Sequence, residues 1–105
     1  MTDYVADVKK YAKNVDEAVV EKIVKHLGIA LRNRDSSLVS CSDKTELDRV
    51  RNGFMKKKLA LTEADAALDA ALGDVCKIMA DSRAKSRVTF YYLVAEHFNK
   101  LSLFK

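Results

Sequence analysis

The stretch from Ser86 to Leu101 limits the fold of this chain more than any other. It holds Val88, Phe90, Tyr91, Tyr92, Leu93, Val94, Ala95, Phe98 and Leu101, with no Gly or Pro. Wound as a helix, these side chains cover roughly 200° of arc and leave Thr89, Glu96, His97 and Lys100 toward the polar side. A helix that apolar needs cover from several others, so it reads as a central helix. A strand is the rival, because Val88–Tyr92 is rich in β-branched and aromatic residues. An uninterrupted run this long is unusual for a strand. The other short β-prone run, Leu38–Cys41, offers no convincing partner.

Composition points the same way. Pro is absent and Gly occurs three times in 105 residues. That suits helices joined by short connections, since β-rich domains need more turn residues. Apolar residues at 49% and charged residues at 32% argue against disorder. Folding a chain of this length removes roughly 65% of its extended surface from water, enough for one core. The expected fold is all-α: residues 1–105 as one compact domain of about five helices packed around a buried C-terminal one.

In chain order, helix one spans Asp3 to Lys13 on the spacing of Tyr4, Val8, Tyr11 and Ala12. Asp16 caps helix two, with Val15 and Val20 as a hydrophobic staple, and Gly28 ends it. Residues 28–42 stay open between helix and loop, because Ser, Asn and Asp there compete for backbone hydrogen bonds. Asp43 with Glu46 resembles a capping box for helix three, which runs through Asn52-Gly53 to Lys58. Lys56, Lys57 and Lys58 complement the dipole in its last turn. Thr62 caps helix four, whose expected buried face is Ala64, Ala67, Leu68, Ala71, Leu72, Val75, Ile78 and Met79. Asp81 or Ser82 caps the C-terminal helix, and Leu101–Lys105 form an apolar tail.

Catalytic chemistry finds little purchase. Cys41 and Cys76 are too few for a disulfide framework and lack metal-ligand spacing. Cys41 reads as an ordinary thiol in a polar connection and Cys76 as packing. His26 and His97 lie at polar helix edges, and no HxxxH, HExxH or CxxC spacing occurs, so no metal and no cofactor are expected. No glycine-rich phosphate loop or Ser nucleophile motif is present, and no enzyme is expected. Apolar runs fall short of the roughly 20 residues of a membrane span. The N-terminal residues lack the features of a signal peptide. The expectation is a cytoplasmic protein without a membrane partner.

The formal net charge of +4 is unevenly spread: residues 32–61 carry +4, residues 62–80 carry −3, and residues 81–105 carry +3. Arg83, Lys85 and Arg87 fall at the start of the last helix, the end where cations are unfavourable. An anion bound there would reverse the sign. With Arg32, Arg34, Arg49 and Arg51 they form the candidate anion-binding set. The competing reading is internal neutralisation by Asp81 and the acidic residues of helix four, Asp65, Asp69 and Asp74.

Several stretches together resemble a family of small bacterial proteins known as domain of unknown function 2853. They are Asp3-Tyr4-Val5-Ala6-Asp7-Val8-Lys9-Lys10-Tyr11, the segment from Gly28 to Val39, Arg49-Val50-Arg51-Asn52-Gly53-Phe54, and the segment from Ser86 to Leu93. The resemblance implies a bacterial, stand-alone cytoplasmic protein and carries over no catalytic residue. The leading functional expectation is a non-catalytic module that docks on a protein partner or forms a homo-oligomer. Helix one or the tail would supply the contact, through Tyr4, Tyr11, Leu103 and Phe104. The alternative is binding of nucleic acid or another polyanion through the basic set.

Overall fold

In the computed structural model five α-helices, counted among the described residues, surround and include the apolar C-terminal segment. The structure describes residues 4–13, 15–32, 37–81 and 85–104, with the side chains of residues 29, 30, 103 and 104 outside the description. The elements in order are α1 (Tyr4–Lys9), α2 (Glu17–Leu27), a 3-10 turn (Gly28–Arg32), β1 (Leu38–Val39), α3 (Lys44–Arg49), a π-helix (Val50–Lys58), α4 (Asp65–Ile78), β2 (Lys85–Ser86), α5 (Arg87–His97) and a 3-10 turn (Leu101–Phe104). The all-α expectation holds. The radius of gyration, 12.5 Å, is close to the roughly 13 Å of a folded chain this long.

Helix α5 is the core. Every residue from Val88 to Ala95 is buried, because α1, α2, α4 and the π-helix all pack on it. Thr89, expected on a polar side, is fully buried and donates its hydroxyl to the Asp7 carboxylate of α1. Tyr92 accepts the backbone N–H of Asp16 at 3.1 Å, which ties the start of α2 to the core. The helix ends at His97, short of the expected Leu101. Asn99 adopts a left-handed φ of 58°, and the amides of Asn99 and Lys100 donate to the carbonyls of Glu96 and Ala95. That is the helix-terminating geometry Asn tolerates.

Two of the expected caps form as read. The Asp16 carboxylate accepts from the amides of Ala18 and Val19, and that of Asp43 from Thr45 and Glu46. Helix α1 is shorter than expected, closing at Lys9 with tight turns through Tyr11 and Ala12. Helix three does run to Lys58, but from Val50 onward it winds as a π-helix. The buried residues Val50, Phe54, Met55 and Leu59 stand four, one and four apart, which suits i→i+5 winding. Asn52 and Gly53, weak α-formers, lie inside that stretch. Helix α4 starts at Asp65 with Ala64 at its N-cap and no side-chain cap, so Thr62 does not serve as one.

A short sheet corrects the view that Leu38–Cys41 has no partner. Leu38 pairs with Ser86 and Val39 with Lys85, antiparallel. The pairing holds the loop after β1 beside α4, where Cys41 and Cys76 form a disulfide with a Cα–Cα distance of 6.0 Å. Neither cysteine is therefore the free thiol that sequence reading made of it.

Candidate functional site

Arg87 stands first in α5 and is buried. Its guanidinium donates to the Tyr91 hydroxyl at 3.1 Å, to the Leu38 carbonyl at 3.2 Å and to the Glu46 carboxylate. Its carbon lies 5.7 Å from the Tyr91 ring centroid, and that ring stacks on Phe54 at 3.9 Å. Burial opposes the Arg87 charge, but Tyr91 and Glu46 together outweigh it and raise its pKa. Burial pushes the Tyr91 phenol up, with Arg87 acting against it. The cluster is a satisfied buried ion pair. The cation that helix position alone made unfavourable is compensated from α3 and β1.

A second cluster lies at the surface between the π-helix and α4. Arg51 donates to both oxygens of Asp69, at 2.8 and 3.0 Å, and lies 3.2 Å from Asp48 and 3.9 Å from Asp65. Lys56 pairs with Asp65 and, through that hydrogen bond, holds the Asp65 carboxyl below its ordinary range. Two carboxylates of α4 thus pair with cations of the π-helix, of which Arg51 belongs to the candidate set. Asp81 instead accepts from the Tyr11 hydroxyl at 3.1 Å.

The candidate anion set is accordingly divided. Arg87 points inward and Arg51 is engaged by three carboxylates. Lys85 is in β2 rather than the helix. Arg49, at 74% side-chain exposure, lies 3.9 Å from Glu46, and Arg32 is exposed at the end of the 3-10 turn. Arg34 and Arg83 lie outside the described residues. His26 is tilted against Phe54 at 6.3 Å, and burial together with nearby Lys58 lowers its pKa.

The outer surface of α4 differs from expectation. Leu68, Ala71, Leu72, Val75 and Met79 face inward as read, whereas Ala64 and Ala67 are exposed. Ile78 is 50% exposed, and among the described residues it is the large hydrophobic side chain that is. Helical spacing sets Asp65, Asp69 and Cys76 along one shoulder, tied to the π-helix and to Cys41. Ala66, Ala70 and Lys77 form the crest, and Ala67, Asp74 and Ile78 the other shoulder. Tyr4 and Tyr11, expected to offer apolar surface, are half-buried against the core. The side chains of Leu103 and Phe104 lie outside the description.

Among the described residues, no helix is long and apolar enough to cross a membrane. Residues 3–102 match the family described as Protein of unknown function (DUF2853). The chain belongs to that family. No curated protein matches it.

Proposed function

We propose that this family member is a non-catalytic helical module that pairs with a second copy of itself through the outer face of α4. Ile78 carries the reading: an aliphatic side chain left half exposed at the end of an otherwise amphipathic helix. Toward the other end of the helix Ala66, Ala67 and Ala70 are exposed, and small side chains let two helix backbones approach closely. Charge favours an antiparallel pair. The N-terminal end of α4 is preceded by Glu63 and its C-terminal end carries Lys77, so each meets its opposite across a two-fold axis, and the helix dipoles oppose. Ile78 of one copy then lies over the alanines of the other. The polyanion reading rests on less, because Arg87 and Arg51 already serve carboxylates within the chain.

Sedimentation equilibrium from micromolar to millimolar concentration tests the proposal. A concentration-dependent dimer that Ile78→Glu shifts to monomer is expected. A clean monomer throughout, or a dimer indifferent to Ile78→Glu, overturns it.

A further inference from the structure

Cys41 and Cys76 stand 35 residues apart in sequence, and both are half-buried near the surface. The chain around Cys41 supplies much of what holds the start of α5. The Ser37 carbonyl accepts the Arg87 backbone N–H at 2.8 Å. The Leu38 carbonyl and the Glu46 carboxylate accept from its guanidinium. Val39, 2% exposed, pairs with Lys85. All of these contacts are noncovalent, and the disulfide is the covalent tie that fastens this segment to α4. It closes across the middle of the segment, between β1 and the cap of α3.

We propose that Cys41–Cys76 is a thiol–disulfide exchange site that takes a dithiol reductant and acts as a clasp on residues 37–46. One thiolate of the dithiol attacks a cysteine sulfur, and the other cysteine leaves as a thiolate and takes up a proton. The second thiol of the reagent then displaces the first cysteine, which is also protonated. The reagent ends as a disulfide, and two electrons and two protons have passed to Cys41 and Cys76. With the clasp open, residues 37–46 keep the two-residue sheet pairing, the packing of Val39 and the start of α3, and the contacts of Arg87. Local opening of such a segment lies at the low-stability end of a native structure. Val39 and the buried side of Arg87 are then uncovered while α2 and the centre of α5 stay packed. The clasp lies on the shoulder of α4 away from Ile78, so it operates whether or not two copies pair.

Hydrogen exchange on the full-length chain, oxidised and after treatment with dithiothreitol under native conditions, tests this. The bond is expected to open without denaturant, and exchange over residues 37–46 and 85–87 to rise on the order of tenfold. Val19–Ile23 and Leu93–Ala95 should remain the slowest-exchanging amides of the chain, losing only the protection that the lower global stability removes. The Cys41→Ser, Cys76→Ser double variant should reproduce the reduced pattern without reductant. Three results overturn the proposal: a bond that resists dithiothreitol until the chain unfolds, a loss of protection spread evenly over all helices, or no change at all.

Discussion

Arg87 and Glu46, 41 residues apart in the chain, meet as an ion pair whose side chains are 10% and 14% exposed. The pair joins the first residue of the central helix to the middle of α3. It also explains a feature that local rules leave unfavourable, a cation in the first turn of a helix. The compensating charge comes from another element, and the Leu38 carbonyl and Tyr91 hydroxyl occupy further donors. The guanidinium therefore behaves as part of the core.

Ala60 carries the clearest local strain. Its φ is 52°, a left-handed conformation that costs a non-glycine residue roughly 1–2 kcal/mol. It follows directly on the π-helix, where the amides of Leu59 and Leu61 donate to the carbonyls of Phe54 and Met55. Ala60→Gly is expected to stabilise the protein by about 1 kcal/mol in urea denaturation, net of the entropy glycine adds to the unfolded chain. A loss of stability would show that the strain is not there.

Much of this architecture was legible because it is local. Asp16 and Asp43 cap helices through amides two and three residues away, and the apolar run of α5 needs no partner information to be recognised as central. What escaped is long-range. The β1–β2 pairing joins two-residue strands too short to leave a pattern. Glu46 looked like half of a capping box, a role defined within its own helix, while its carboxylate serves α5. The spacing of Cys41 and Cys76 says nothing about which loop the fold lays beside α4. Ile78 lies at a shoulder of the helix, where periodicity cannot separate facing in from facing out. The π-helix escaped because its four-and-five spacing imitates a thin α-helical stripe.

His26 gives the protein a pH dependence of defined sign. Burial and Lys58 lower its folded-state pKa below the ordinary 6.5. As pH falls through that ordinary value, the unfolded chain takes up a proton more readily than the folded one, so this contribution to stability is present above it and lost on acidification. Comparing melting temperatures on either side of that pH should show a steeper acid loss in the wild type than in His26→Gln. Equal slopes would remove His26 from the account.

The disulfide should also contribute to global stability. Closing a loop of 35 residues restricts the unfolded chain by about 3–4 kcal/mol in the chain-entropy treatment. Guanidinium denaturation with and without reductant measures it. A midpoint that does not move would mean that the reduced unfolded chain is already restricted there.

Arg87 is a structural cation, and a double-mutant cycle with Glu46 measures that role most directly. Arg87→Met and Glu46→Leu should each cost about 3 kcal/mol, because each leaves a largely buried partner unsatisfied. The double variant should cost less than the sum by about 2 kcal/mol or more, since neither charge is then stranded. Additive losses, or a neutral Arg87→Met variant, would contradict the buried pair and return Arg87 to the surface as a residue available to anions.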